Sequence, residues 1–447
     1  MKLARAGCVA LLVAQVGCAG HAEKTLAART ALDAGDPKGA LKALNEELKV
    51  DSAKALPEKT GGDNALLLLD RAMVLQELED YKLSSRDLEV SDKQIEVLDL
   101  SANAAADIGR YLFSDDVGPY KAPAYEKLMI NTMNMINYLA RSDLNGARVE
   151  ARRLAVMQKF TREKEDPAQA LLGPGSYLAG FVFEKSGKPE DALRYYDEAL
   201  AYGQYRSLAE PIRRLSGQGS YSSPRIRELL AKYPGPEATS EAPRDDDAEL
   251  LVMVNFGRVP AKIAQRVPIG LALTYASGFI SPMDAGRANS LALQGLVTWV
   301  NYPELGKAHG AYGRPTFKLD GQWAPLEGVI AVDQEAKRAW DQARGAIVAS
   351  AITRMITRVV AGEATKKVAG DGILGTLLGL GAQITLTAAD TPDTRSWSTL
   401  PARIAFGRVR IRAGEHVVIL TAAGGTKRQT VTVTPGGWGV VNLTALN

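Results

Sequence analysis

The stretch SYLAGFVFEKSGKPEDALRYYDEALAYG, residues 176–203, constrains the fold more than any other part of this 447-residue chain. Its apolar and small residues fall three and four apart, the period of one face of an α-helix. Gly187-Lys188-Pro189 interrupts that period once, since glycine permits a left-handed turn and proline opens a new helix better than it continues an old one. Two helices joined so closely form a hairpin, and small residues such as Gly180 and Ala192 let the backbones approach. One hairpin cannot bury its own apolar faces, so others are expected to stack on it.

The small and large residues at Gly180, Phe183, Ala192, Tyr196 and Ala199 resemble the packing positions of a tetratricopeptide repeat. Weaker copies precede it around Ala40, around Ala72 and Ser84, and around Ala147. Their spacing is irregular, so the resemblance implies a divergent array with inserted helices over residues 18–233. Such an array leaves a concave surface for a peptide, another helix or the protein's own second half. In YEKLMINTMNMINYLARSDLNGARVEARRL, Met129, Met133, Met135 and Ile136 lie at helical spacing and are expected in the core. Asn131, Asn134 and Asn137 beside them could cap, join helices or face a groove.

From residue 216 to 248 the composition turns to Gly, Ser, Pro and clustered charge, with one short helix near Arg225, and residues 234–248 read as a linker. Asp245-Asp246-Asp247 lacks the glycine turn and distal glutamate of a calcium loop and reads as solvated chain. Residues 249–447 are β-rich, with short β-branched runs ended by Gly or Pro. Near the end, Ala413-Gly414-Glu415, Ala423-Gly424-Gly425 and Pro435-Gly436-Gly437 separate alternating runs and are expected to be hairpin turns. Ile404 and Phe406 stand at even positions and Val409 and Ile411 at odd ones, which predicts a bulge near Gly407. The turn spacing resembles small β-sandwich modules of bacterial surface proteins, including PEGA-type repeats. The expected fold is therefore α+β and multidomain, a TPR-like α-helical array followed by a β-sandwich-like domain.

Inside that domain, GILGTLLGLGAQITLTAA, residues 372–389, carries no charge. Gly370, Gly372 and Gly375 match the dinucleotide pattern G-x-G-x-x-G, but a polar stretch precedes them where a strand would be needed. Eighteen residues in a helix span about 27 Å, short of the roughly 30 Å of a bilayer core, and the Gly and Thr content is a poor match to a membrane span. A closely packed helix fits better, with RGAIVASAITRMITRVV as its amphipathic partner. This predicts a Gly-rich helical hairpin inserted around residues 333–390, buried or facing another copy, with contact at a membrane surface as the alternative.

The N-terminus, MKLARAGCVALLVAQVGCAG, sets Lys2 and Arg5 ahead of a short apolar run, the layout of an export signal. Ala14-Gln15-Val16-Gly17-Cys18 resembles the lipobox of bacterial lipoproteins, with Gln15 where that family usually has Leu. The resemblance implies removal of residues 1–17 and a lipid anchor on Cys18. Ala19 and Gly20 add no acidic residue beside the anchor, which by the same resemblance implies the outer membrane, with the protein facing the periplasm. Beyond Cys18 there is no cysteine, which excludes disulfides, thiolate metal sites and a cysteine nucleophile from the mature chain. His21, His309 and His416 are scattered, and neither G-x-S-x-G nor a phosphate-binding loop occurs. A net charge of +3 gives no reason to expect nucleic acid. No catalytic residue, metal or cofactor is expected.

Residues 147–154, Asp393-Thr394-Arg395-Ser396-Trp397 and Leu400-Pro401-Ala402 resemble words of a family of bacterial envelope lipoproteins with TPR-like N-terminal halves, a likeness that spans most of the mature chain. No catalytic residues are established there, so the resemblance implies none here. It implies work beside other envelope proteins or lipoproteins, including ones resembling activators of penicillin-binding proteins. Asp393, Arg395 and Trp397 form the one local cluster, which either binds a partner's charged group or fixes the chain internally by an ion pair with Trp397 on the core. The expected function is a non-enzymatic protein–protein scaffold. Two alternatives stand beside it: a homo-oligomeric ring or pore subunit built through the Gly-rich hairpin, and a cell-wall hydrolase or transferase with carboxylates meeting between the halves.

Overall fold

A computed structural model of the protein describes residues 20–97, 120–163, 167–235, 247–310, 313–369, 392–423 and 425–447. Outside these lie the signal at 1–17, Cys18, most of the linker and the uncharged stretch at 372–389, with it the second arm of the expected hairpin.

The first half is helical. After a single turn, α1 (His21–Lys24), come α2 (Leu26–Asp33), α3 (Pro37–Glu47), α4 (Asp63–Glu77), α5 (Tyr81–Gln94), α6 (Ala124–Ala140), α7 (Leu144–Glu163), α8 (Leu172–Lys185), α9 (Pro189–Tyr202), α10 (Ala209–Ser216) and α11 (Pro224–Lys232). Asp36, Asp80 and Ser223 start α3, α5 and α11 by accepting hydrogen bonds from the free N–H groups of the first turn. Helices α2 and α3, α4 and α5, α6 and α7, and α8 and α9 pack as successive pairs. Gly187, at φ +67°, makes the turn between α8 and α9. Gly180 is required by packing, because a Cβ there would stand 2.3 Å from the Tyr196 ring. Ala40, Ala72, Ser84 and Ala147 are likewise buried at their pairs' contacts. The half is thus a TPR-like array in its packing. Short strands β1 (Glu96–Val97) and β2 (Lys121–Ala122) pair in parallel between α5 and α6.

The second half carries β3 (Asp247–Phe256), β4 (Lys262–Pro268), β5 (Trp299–Leu305), β6 (Thr316–Leu319), β7 (Gln322–Ala324), β8 (Ile330–Ala331), β9 (Arg403–Arg412), β10 (Gly414–Ala422), β11 (Gly425–Val433) and β12 (Trp438–Ala445). One four-stranded sheet has the order β12-β3-β9-β8 and another β11-β10-β6-β7. Two of the three expected hairpins are absent: the chain leaves β9 for the other sheet at Ala413, and leaves β11 for the first sheet at Pro435, because β9 and β12 both pair with β3. Of the strands that these three turns join, β10 and β11 alone pair with each other, antiparallel.

The bulge near Gly407 is also absent. β9 runs against β3 in unbroken register from Arg403 opposite Phe256 to Arg412 opposite Asp247. The change of parity has another cause, since both faces of this sheet are covered. Ile404 and Phe406 join Leu251 and Met253 in the core of the helical half, whereas Ala405 and Ile411 join Leu250, Val252, Val254 and Phe256 in a core shared with Val418 and Leu420 of the second sheet. Gly407 is needed instead for close approach, as a Cβ there would lie 2.9 Å from the Pro325 carbonyl oxygen.

Two helices not anticipated from the sequence, α12 (Ile269–Tyr275) and α13 (Pro282–Leu293), connect the antiparallel pair β4 and β5. They and β5 cover the apolar face of α14 (Val332–Ala369), a 38-residue helix whose Ile347, Val348, Ile352 and Ile356 are buried there. That face therefore has a partner among the described residues other than the Gly-rich stretch.

Candidate functional site at the helix–strand junction

The junction is held by an arginine that the sheet aims into the helices. Arg408 lies on the β9 face shared with Ile404 and Phe406, and its guanidinium is buried. Its Nε and Nη2 donate to the two carboxylate oxygens of Glu249 on β3, each at 2.8 Å, a bidentate fork. Nη2 also donates to Glu184 Oε1 at 2.7 Å, and Nη1 to Tyr196 Oη at 2.7 Å. Tyr196 in turn donates to Glu184 Oε2 at 2.6 Å. Lys185 reaches both carboxylates and Arg214 adds a 2.5 Å bond to Glu184. Burial alone would raise the carboxyls of Glu184 and Glu249, but Arg408 and Lys185 outweigh it and hold both below their usual range. The same two anions hold the Arg408 guanidinium well above its ordinary value against the opposing effect of burial. Aromatic contacts close the joint: Tyr177 stacks on Phe406 at 5.2 Å between centroids and Phe181 meets Trp438 edge-on at 5.6 Å.

A cleft of about 980 Å³ opens beside this network, lined by Glu184, Glu210, Arg213, Arg214, Arg410 and Trp438 among others. A second lobe of about 680 Å³ shares Glu210, Arg213, Glu249 and Arg410 and adds Arg206, Lys232 and Tyr233. The carboxylates here are engaged: Glu210 by Arg214 and Arg410, and Glu327 by the Ser207 N–H. Arg213 donates to the Tyr233 carbonyl at 2.6 Å, and Arg206 lies over the Tyr233 ring.

The residues singled out from the sequence fall into separate places. Gly180, Phe183, Ala192, Tyr196 and Ala199 are at the α8–α9 contact, and of these Tyr196 alone also enters the junction network. Asp393, Arg395 and Trp397 are all buried, apart from the bonds of the junction network. Arg395 donates to both oxygens of Asp393 at 2.9 and 2.7 Å, and the backbone N–H of Trp397 donates to Glu126 at 3.1 Å. The pair is turned inward, with Arg395 1 % exposed. Glu126 also accepts from Tyr120 at 2.6 Å, and its carboxyl is raised by burial against those bonds. Next to it Asp70 of α4 accepts from Ser398, from the Thr399 N–H at 2.9 Å and pairs with His21 at 3.1 Å. Ala22 N donates to Thr394 Oγ1 at 3.1 Å, so the residues just after Cys18 are docked on this segment. His309 and His416 lie elsewhere, beside Asp33 and Asp320. Among the described residues no group of three or more His, Cys, Asp or Glu is arranged to hold a metal.

No protein family and no curated protein matches the chain. Among solved structures it is similar to MamA protein at 12 % identity, over 50 % of this chain and 98 % of that one, with a TM-score of 0.30. It is similar also to TPR-like repeats of a putative kinesin light chain from Podosopora anserina, at 14 % identity over 47 % of this chain and 95 % of that one, TM-score 0.30. The type IV pilus biogenesis factor PilW matches at 16 % identity over 49 % and 95 %, TM-score 0.24.

The sequence reading missed Arg408, Glu184, Glu249, Glu126 and Asp70. A charged residue in the middle of an alternating apolar strand, as Arg408 is in RIAFGRVRIR, was the one available signal.

Proposed function

We propose that this chain is an outer-membrane lipoprotein, held by a lipid on Cys18 and facing the periplasm, that serves without catalysis as a scaffold or assembly factor for other envelope proteins. The observation that carries this reading is the junction cleft. Its carboxylates are held by the chain's own donors, while Arg206, Arg213 and Lys232 have no carboxylate partner among the described residues. Such a surface attracts an acidic stretch of another protein and sets its orientation. It is poorly suited to proton transfer, because its buried carboxyls are held ionised and a guanidinium does not release its proton near neutral pH. The strands already occupy one face of the array, so partners meet the cleft and the outer helices. The two four-stranded sheets we read as a β-sandwich that braces the array.

Crosslinking in intact cells, followed by affinity purification and mass spectrometry, tests this. Defined envelope proteins should be recovered, and both Cys18→Ser and Arg213→Glu should reduce them, the second without releasing the protein from the membrane. Recovery of the protein alone, as a high-mass ladder, would sink the scaffold reading and favour a ring built from copies of the chain.

A further inference from the structure

We propose that residues 263–299, made of β4 beyond its first residue Lys262, α12, α13 and the start of β5, form a face that rests on an anionic lipid surface. These 37 residues contain three charges, Arg266, Asp284 and Arg287, where charged residues make up 23 % of the whole chain. Thirteen large apolar side chains are exposed among the described residues, and six of them are here: Ile263, Leu271, Phe279, Met283, Leu293 and Trp299. Single exposed apolar residues are ordinary, but a concentration of them in a charge-poor unit is not. They are not displaced core, because the unit has buried apolar residues of its own, Val267, Ile269, Ala272, Ala288 and Val297, in one cluster with Ile347 and Ile352 of α14.

Charge selects the occupant. Arg287 stands 3.9 Å from Asp284, the unit's only anion, and Arg266 lies 5.5 Å over the exposed Trp299 ring. A cation beside an amphipathic aromatic suits the headgroup level of a membrane, and the surplus positive charge complements anionic lipid while repelling a second copy of the same face. No helix among the described residues is long and apolar enough to cross a membrane, so the contact is interfacial.

Position agrees. The Lys262 N–H, at the root of β4, donates to Ser396 Oγ at 3.1 Å, and the Ala22 N–H donates to Thr394 Oγ1 at 3.1 Å. The chain just after Cys18 and the root of this unit are thus held by residues two apart, about 7 Å along an extended segment. A lipid on Cys18 would put a bilayer near the root of this unit; only this placement rests on the anchor proposed above.

The test uses the full-length lipidated protein in vesicles of phosphatidylethanolamine and phosphatidylglycerol. Because the mature chain has no cysteine beyond Cys18, Leu293→Cys and Met283→Cys can each carry a single environment-sensitive fluorophore, with Val156→Cys on α7 as an exposed control. Emission from positions 293 and 283 should shift to the blue and be quenched by bromines on the lipid chains, and that from 156 should not. Flotation with the vesicles reads the anchor separately. Flotation without quenching at 293 and 283 overturns the proposal and leaves the anchor standing. Blue-shifted emission at 293 without lipid, together with crosslinked dimers, overturns it in favour of contact between copies.

Discussion

Arg408 shows how one side chain can join two halves of a chain. It bonds two buried carboxylates and a tyrosine at once, so its removal leaves both anions with only Lys185 and Arg214 to offset their burial, rather than merely deleting a contact. Arg408→Ala is expected to cost about 3–5 kcal/mol in urea denaturation, the range for breaking a buried ion pair from one side. Arg408→Lys should recover only part of this, since a lysine cannot make the bidentate fork. Glu77 makes a different kind of prediction. Burial pushes its carboxyl from 4.5 up to about 7, against the lowering pull of the Leu446 N–H and Arg258. The folded protein therefore keeps a proton that the unfolded chain loses over that range, so this group's contribution to stability falls as pH rises from about 4.5 to 7. Glu77→Gln should remove that fall, by at most about 3 kcal/mol. Comparing both proteins in urea at about pH 5 and about pH 8 checks the sign.

At the scale of elements, β9 as far as Arg408 and α8 decide the architecture because both are covered on every side there. Phe406→Ala would open a cavity where β9 meets Tyr177 of α8, costing about 3–5 kcal/mol, and hydrogen exchange should rise in both elements together. Much of the helical half was legible, since Gly180, Ala192 and Gly187 carry their packing and turn requirements in their chemistry. The covering of the array was also written in the sequence but was read past: α4 contains Leu66-Leu67-Leu68-Leu69, and α8 has no polar stripe until Glu184, the pattern of helices buried on every side. The parity change in β9 carried the same message, and a bulge was the wrong inference because it assumed one solvated face. The N-terminus of α13 could have been found, as Ser281 caps it and Pro282 follows. The junction network could not: Arg408 stands 159 residues from Glu249 and 224 from Glu184, and no local pattern links them.

For the molecule as a whole, the shared core predicts one cooperative unit rather than two independent domains. The five tryptophans all lie at or beyond residue 299, whereas α1 to α11, which hold most of the helical residues described, lie before residue 235. Tryptophan emission therefore reports mainly the strand half, and far-ultraviolet circular dichroism is weighted towards the helices. The two urea transitions should coincide, and separated midpoints would show that the halves unfold on their own. The placing of β3 between β9 and β12 adds a constraint in time. A chain emerging N-terminus first makes β3 long before either neighbour, and β12 comes last. Until then the apolar flank of the helices stays bare and open to wrong contacts in a newly made chain, and truncation near the end should leave that flank uncovered.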